Sequence, residues 1–306
     1  MIATTDQERV RAAVGALDRS ERGKLLLEGS EAAEFLQGQV TNDVQALELG
    51  RGCYAALLSH KGKLRADLRV LRGPGWLWID TEPVGLAPLA RTLKMYSIGR
   101  DARSTDVSAS RAILSLLGPA SDDVLEVAPP ATEHAWVDGD HGLYVRTPFG
   151  IDVICRSTDS EAVRAALGVE PVSEESAECL RIEAGRPRHG LDMDEDTIPQ
   201  EAGLNQRAVS FTKGCYVGQE TVARLHYKGR PNRHLRGLRL SAPVERGADV
   251  RLGERLVGTL GSSCTSPLYG PIGLALIRRE AEPGDQVLVA GAGAEVVALP
   301  FGAAGS

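Results

Sequence analysis

The amino-acid sequence predicts an α+β protein that ends in an antiparallel β-barrel. Up to about residue 170, short strands alternate with hairpins and amphipathic helices, which is typical of α+β folds. A long irregular segment, residues 186–209, follows, and such loops are usually functional or disordered. After Arg233 the chain carries about six short strand patterns split by Gly, Pro and Asp, as in a small barrel or sandwich.

Length and composition limit the class of protein. A chain of 306 residues suggests two or three domains, and we place a boundary at Arg230–Arg233. This divides the chain into an α+β region of two intertwined subdomains, residues 1–230, and a small β-barrel domain, residues 231–306. With 42% hydrophobic and 25% charged residues, the chain has the composition of an ordinary globular protein. A net charge of −6 argues against a general nucleic-acid binder.

The sequence also indicates a compartment. The N-terminus lacks the apolar core of a secretory signal, and no apolar run approaches the roughly 20 residues that span a bilayer. Five cysteines are scattered without a C-x-x-C pair, which fits a reducing compartment. We therefore expect a cytoplasmic protein with no membrane partner and no metal site.

The first elements follow from hydrophobic spacing. Residues 5–17 have helical spacing, and Leu25–Leu27 form a strand pattern. Ser30 is placed to cap a helix that ends at Gly38. A hairpin with its turn at residues 60–63 comes next.

Later elements are predicted in the same way. Strands are predicted in "GWLWIDTEP", "RAILSLLGP", "HAWVDG", "GLYVRTP" and "GIDVICR". Helices are predicted in "GLAPLARTLKMYSIG", "SDDVLEVA", "DSEAVRAALG" and "SEESAECLRIEAG". In the last of these, Ser173 caps the helix and Gly185 ends it.

The stretch "KGCYVGQE", residues 213–220, is the strongest candidate for chemistry. A helical pattern begins at Gln219, with Gly218 as its cap. Cys215 then lies just ahead of a helix N-terminus and two residues from Lys213, and both features favour a thiolate. Two glycines would allow unusual backbone angles or close approach of a ligand. A buried structural cysteine in a turn is the alternative.

Two carboxylates are further candidates. Glu183 lies in the last turn of its predicted helix, where a negative charge is locally unfavourable. There it could accept two N–H bonds from a 2-amino-pyrimidinone ring, or it could be exposed and paired with Arg181 or Arg186. Asp67 alternates with apolar residues along its strand, which predicts either a solvated charged face or a carboxylate that faces a cleft.

A run of basic residues lies between 224 and 239 and could hold an anionic tail or RNA, although a solvated face is the commoner explanation. The chain has no G-x-G-x-x-G, P-loop or G-x-S-x-G motif, which argues against a nucleotide-fold enzyme or a serine hydrolase.

At "KGCYVGQE" the chain resembles the YgfZ family, whose motif is K-G-C-Y-x-G-Q-E. This family consists of tetrahydrofolate-binding proteins that support assembly or repair of iron–sulfur clusters, and it is related to the aminomethyltransferase (T protein) of the glycine cleavage system. The resemblance extends to "FLQGQVTNDV", "LLSHKGKLRADL" and "LRIEAGRPRHG". It implies a T-protein-like, multi-domain folate-binding fold with a C-terminal β-barrel.

The resemblance also implies roles for residues of this chain. Glu183 corresponds to the pterin-holding glutamate, Cys215 to the motif cysteine, and Asp67 to the acid that the aminomethyltransferase uses near folate. The catalytic candidates are Cys215, Lys213 and Asp67. The candidates for binding tetrahydrofolate, or a one-carbon derivative, are Glu183, Arg181, Gly214, Tyr216, Gly218, Gln219 and Glu220.

The implied function is that of a folate-binding helper that uses Cys215 in the maturation or repair of iron–sulfur client enzymes. One cysteine cannot hold a cluster, because cluster ligation usually takes four thiolates. The alternative is a folate-dependent aminomethyltransferase or demethylase, which Asp67 favours. The turn Lys61–Lys63 replaces a neutral, glycine-rich turn of the transferase and argues against it. A third hypothesis is an RNA-related folate protein that uses the basic run.

Overall fold

The structure is a computed structural model that describes residues 5–302. Over these residues the chain divides into two compact units. Unit 1 takes in residues 5–60, 65–177 and 207–217, and unit 2 takes in residues 61–64, 178–206 and 218–302. The predicted domain boundary between residues 230 and 231 stays a prediction.

Two five-stranded sheets form the framework of unit 1. Its strands are β1 (Gly15–Asp18), β2 (Gly23–Glu28), β3 (Gly52–Leu58), β4 (Leu64–Gly73), β5 (Trp76–Thr81), β6 (Arg103–Asp106), β7 (Arg111–Leu117), β8 (Trp136–Gly139), β9 (Gly142–Thr147) and β10 (Gly150–Arg156). The first sheet has the order β3-β4-β5-β2-β6, and the second has the order β1-β7-β10-β9-β8. The hairpin and the strands predicted here are confirmed.

The helices lie between these strands and around the later loops. They are α1 (Asp6–Ala12), α2 (Ala32–Gln37), α3 (Pro83–Tyr96), α4 (Ser160–Leu167), α5 (Glu174–Glu183), α6 (Asn205–Ala208) and α7 (Gln219–Lys228). Both α2 and α3 bury apolar side chains against the first sheet, among them Phe35, Leu89 and Leu93. Burial of a large apolar side chain contributes roughly 1.5–3 kcal/mol, so this layer stabilises the sheet.

Three local predictions are wrong. Residues 15–17 are not helical but form β1, because Gly15 pairs with Leu117 of β7 and this pairing overrides the helical spacing. Ser30 caps no helix, since its hydroxyl donates to Asp101 over 2.6 Å instead. The helix predicted in "SDDVLEVA" is a 3-10 helix, Pro119–Val124.

Unit 2 contains a closed six-stranded antiparallel barrel, as predicted. Its strands are β11 (Arg233–Leu240), β12 (Asp249–Leu252), β13 (Arg255–Ser266), β14 (Gly270–Arg278), β15 (Gln286–Val289) and β16 (Ala292–Val297), in the order β11-β14-β13-β12-β15-β16. The barrel closes because β11 pairs with both β14 and β16. Inward-facing aliphatic residues such as Leu238, Val250 and Val296 fill it.

Buried ion pairs link the two sheets of unit 1. Asp80 is fully buried, and its carboxylate accepts from Arg69 over 2.7 Å and pairs with Arg22 over 2.8 Å. Arg69 also reaches Asp152 of the second sheet over 2.7 Å. Burial raises the pKa of Asp80, but the charges of Arg69 and Arg22 outweigh it and hold that pKa at about 2. The carboxylate is therefore ionised at neutral pH.

No helix within residues 5–302 is long and apolar enough to cross a membrane.

Asp80→Asn is expected to lower the free energy of unfolding by about 3 kcal/mol at pH 7, because it removes a fully buried counter-charge that two arginines share and leaves them only Asp152 and Glu82 as charged partners. Urea denaturation measures this loss. Asp18→Asn is the control, since its pair with Arg164 is half-exposed and worth at most about 1 kcal/mol. The pKa of Asp80 is lowered in the folded state, so its stabilisation is complete above about pH 4 and is lost toward pH 2. Equal losses of unfolding free energy in Asp80→Asn and Asp18→Asn would contradict the stabilising role assigned to the buried ion pairs of Asp80.

Candidate functional site

The motif loop of unit 1, residues 211–217, is held by one buried lysine. The ammonium of Lys213 donates to the carbonyl oxygens of Gln37, Val40 and Asn42 over 2.6, 2.7 and 2.9 Å. Lysine has three N–H donors, so these carbonyls take all of them. Burial lowers the pKa of Lys213 to about 8, although Asp43 opposes this shift. No N–H group of Lys213 is left to donate to the Cys215 thiol, and the prediction that Lys213 favours a thiolate there stays a prediction.

Further hydrogen bonds fasten the residues just before this loop, 207–210, to the stretch "QVTND". The hydroxyl of Thr41 donates to the carbonyl of Ala208, and the amide of Asn42 donates to the carbonyl of Arg207 over 3.2 Å. The backbone N–H of Ser210 donates to Thr41 over 3.0 Å. Two motifs that lie about 170 residues apart in sequence therefore build one local structure.

Cys215 projects from this anchored loop. It is exposed, as is Gly214, while Tyr216 is buried and its ring centroid lies 5.2 Å from the Lys213 nitrogen. Burial raises the pKa of Tyr216 to about 12. The alternative of a buried structural cysteine is wrong. A Cβ at Gly214 would meet nothing within 4 Å, so glycine is not required there by local packing.

The remaining motif residues begin α7 in unit 2. Gly218 precedes the helix with φ of +84°, a conformation that favours glycine, and the predicted cap is confirmed. Glu220 is exposed in the first turn, where a negative charge suits the helix dipole. Gln219 is the first helical residue and is half-buried.

Asp67 lies on β4 in unit 1 and is only 8% exposed. The hydroxyl of Tyr54 donates to its Oδ2 over 2.7 Å. Burial raises the pKa of Tyr54 and the neighbouring Asp67 raises it further, so the tyrosine remains a neutral donor. The prediction of a solvated charged face is wrong for this residue, and it is wrong for Arg69, which is also buried.

Three residues around Asp67 were missed by the sequence analysis. Tyr54 stacks on His134 with ring centroids 6.5 Å apart, and the guanidinium of Arg207 lies 5.0 Å from the tyrosine ring. His134 has φ of +66°, which is rare for a residue with a side chain and tends to mark functional sites. Burial lowers its pKa to about 4, so its ring is neutral. No local pattern identifies these residues, because they come from separate loops and strands.

Glu183 lies at the end of α5 in unit 2 and is 9% exposed. The hydroxyl of Ser266 donates to its Oε1, and the Cys179 thiol donates to the same oxygen over 3.5 Å. The alternative of an exposed glutamate is therefore wrong.

Arg181, which was predicted to bind the cofactor, is committed to protein partners. Its five N–H groups donate hydrogen bonds to the carboxylates of Glu178 and Asp192, the hydroxyl of Ser262 and the carbonyl of Arg186. A guanidinium has five N–H donors, so none is left for a ligand. Its role is to hold the irregular segment against the barrel strand β13.

Two cavities are lined by none of the predicted site residues. One of about 920 Å³ in unit 1 is lined by Trp76, Trp78 and Arg111, among others. Another of about 530 Å³ in unit 2 is lined by Asp192, Arg246 and strand residues of the barrel. Neither contains a predicted site residue, so neither defines the candidate site.

Comparison with known proteins shows the class of protein. A family model described as the GCVT N-terminal domain matches residues 2–137. The crystal structure of the glycine cleavage system aminomethyltransferase T from Bartonella henselae matches with a TM-score of 0.88 at 23% identity, over 97% of this chain and 88% of that one. The fold is therefore that of this aminomethyltransferase.

Sequence relatives show the family. An aminomethyltransferase of Bacillus cereus (strain AH187) is 30% identical over 300 residues, which cover 89% of this chain and 81% of the relative. One of Rubrobacter xylanophilus is 29% identical over 318 residues, which cover 97% and 85%. The chain belongs to the aminomethyltransferase family. Membership of the YgfZ branch stays a prediction.

Lys213→Met is expected to lower the free energy of unfolding by about 2 kcal/mol, because three carbonyls lose their donor. Urea denaturation measures this, with the exposed Lys94→Met as a control that should change stability by less than about 0.5 kcal/mol. In the folded Lys213→Met variant, Cys215 should react with iodoacetamide at the wild-type rate across about pH 6–9, which includes the usual pKa of a cysteine thiol. A large fall in that rate would support the predicted role of Lys213 in thiolate formation.

Proposed function

We propose that this protein binds a reduced folate and uses it in one-carbon transfer of the aminomethyltransferase type. The observation that carries the proposal is the buried Asp67, whose carboxylate accepts a hydrogen bond from Tyr54. Curated relatives are named aminomethyltransferase, which supports this reaction type. Folate enters the proposal through the sequence resemblance.

The role assigned to Asp67 is proton transfer. Moving a one-carbon unit from an amine requires a proton to move at the nitrogen that is released. A positioned carboxylate can accept or return that proton, and such acid–base catalysis contributes roughly 10²–10⁴-fold to a rate. The Tyr54 hydroxyl orients the carboxylate, while the neutral His134 ring and the Arg207 guanidinium border the tyrosine.

The role assigned to Glu183 is recognition of the pterin ring. A buried carboxylate can accept two parallel N–H bonds from a 2-amino-pyrimidinone, and charge-assisted bonds of this kind are strong. Ser266 and Cys179 donate to Oε1 and so restrict the rotation of the carboxylate. This assignment rests on the contacts within unit 2.

The role assigned to Glu183 predicts a loss of folate affinity, and the role assigned to Asp67 predicts a loss of turnover rate. Calorimetric titration should show tetrahydrofolate binding to the wild type, and Glu183→Gln should weaken it by about tenfold or more, because a charged acceptor is lost. Asp67→Asn should keep that affinity but lower kcat by about 10²-fold in a turnover assay with an aminomethylated or methylated donor. The kcat of Tyr54→Phe should lie between those of the wild type and Asp67→Asn, since the Asp67 carboxylate stays and only the hydrogen bond that orients it is lost.

The controls separate binding from folding. Glu280→Gln changes a surface glutamate that pairs with Arg255, and it should leave the folate affinity unchanged. Circular dichroism on each variant establishes that it is folded. Failure of the folded wild type to bind tetrahydrofolate would overturn the proposal, and binding without turnover would overturn the transferase activity alone.

A second candidate function is assistance to iron–sulfur client enzymes. The exposed Cys215 in its anchored motif loop favours it, since transferase chemistry at Asp67 needs no thiol. The partners would then be client enzymes or cluster assembly factors, and the protein would bind folate as a helper. Lys61 and Lys63, in the turn where the transferase pattern is neutral, also support this candidate.

Cys215→Ser should abolish the support of a 4Fe–4S client enzyme while leaving the fold and folate binding intact, if this second function is correct. Client activity in a strain that lacks the chromosomal gene measures it. Cys155→Ala is the matched control, because that cysteine is buried in strand β10. Full client activity with Cys215→Ser would remove the thiol from the mechanism.

A further inference from the structure

Unit 2 places two cysteines side by side that are 85 residues apart in sequence. Cys179 is fully buried on α5, and Cys264 is half-buried on strand β13. Their Sγ atoms are 3.0 Å apart, and neither is in a disulfide. A disulfide requires an S–S distance of about 2.05 Å, so the two sulfurs need to approach by only about 1 Å.

The pair is continuous with the candidate ligand carboxylate. The thiol of Cys264 donates to the sulfur of Cys179, and the thiol of Cys179 donates to Oε1 of Glu183 over 3.5 Å. A chain of hydrogen bonds therefore runs from the half-exposed Cys264 sulfur through Cys179 to the buried Glu183 carboxylate. Free cysteines that only fill a core have no need of such an arrangement.

We propose that Cys179 and Cys264 are a reversible modification site, at which an intramolecular disulfide forms and changes the hydrogen bonding of Glu183. The effect on ligand binding rests on the folate function proposed above; the formation of the disulfide does not.

The oxidant is a small-molecule disulfide such as glutathione disulfide. The Cys264 thiolate attacks one sulfur of that disulfide, forms a mixed disulfide and releases one small thiol. The Cys179 thiol then passes its proton to the Glu183 carboxylate, and its sulfur attacks Sγ of Cys264, which breaks the mixed disulfide. The second small thiol leaves as a thiolate and takes up the proton that Glu183 gives back. The two protein thiols lose two electrons and two protons in total, and the small disulfide gains both.

The order of attack follows from exposure. Cys179 is fully buried, so a small disulfide meets Cys264 first, and the second step is intramolecular. The carboxylate that accepts the proton is already in contact with Cys179, which makes Glu183 the natural base for closure.

Oxidation removes the S–H donor from Oε1 of Glu183. The carboxylate loses a contact that restricts its rotation, and its alignment with a ligand N–H pair becomes poorer. We expect the oxidised protein to bind tetrahydrofolate about threefold to tenfold more weakly, the range that one hydrogen bond sets.

The experiment uses the full chain with Cys215→Ser, which removes the exposed thiol that would otherwise form mixed disulfides. After incubation with glutathione disulfide, unreduced peptide mapping should find Cys179 linked to Cys264, and dithiothreitol should reverse the link. Cys264→Ser should lose this cross-link, whereas Cys155→Ser, a matched change at another buried cysteine, should keep it. Glutathione retained on Cys264 with no cross-link would overturn the site.

Titration of tetrahydrofolate into the reduced and oxidised forms tests whether the disulfide weakens folate binding. The expected weakening should be absent in Cys264→Ser, which cannot close the disulfide. A cross-link with unchanged folate affinity would overturn the link to Glu183. A cross-link in a protein whose reduced form binds no folate would overturn the proposed function and leave the modification site intact.

Discussion

The position of the motif loop depends on the bonds of one buried ammonium. Lys213 donates to three carbonyl oxygens of the turn at residues 37–42, and burial makes each of these bonds matter more than it would in water. The side chain of Gln37 organises the same turn through bonds to the backbone N–H groups of Val44 and Gln45. Cys215 can be exposed and still have a defined position because its neighbour two residues away is immobilised.

Buried carboxylates fall into two groups in this protein. Asp80 and Asp152 face arginines across short distances, and their function is to join the sheets of unit 1. Asp67 and Glu183 instead accept hydrogen bonds from hydroxyl groups, those of Tyr54 and Ser266. A hydroxyl donor orients a carboxylate without neutralising its charge, which is a physical reason to propose a function for Asp67 and Glu183.

The chain shares its fold with an aminomethyltransferase but carries a cysteine motif for which the transferase reaction has no evident use. The two candidate functions differ in the residue that they require. Transfer depends on Asp67, and support of iron–sulfur enzymes depends on Cys215, while folate binding is common to both. The thiol pair near Glu183 would connect either function to the redox state of the surroundings.

Local pattern was sufficient for most regular elements of this protein, but it mistook β1 for helix because the pairing of β1 with β7 is a tertiary contact. Alternating apolar residues determined the strands of the barrel and the hairpin of β3 and β4, and Gly218 determined where α7 begins. Tertiary structure alone decided that Lys213 is a structural anchor, that Asp67 is buried beside Tyr54, and that Cys179 meets Cys264. Periodicity specifies which face of an element is apolar, since that depends on near neighbours in the chain. A hydrogen-bond partner from a distant segment is determined only when the backbone brings the two together.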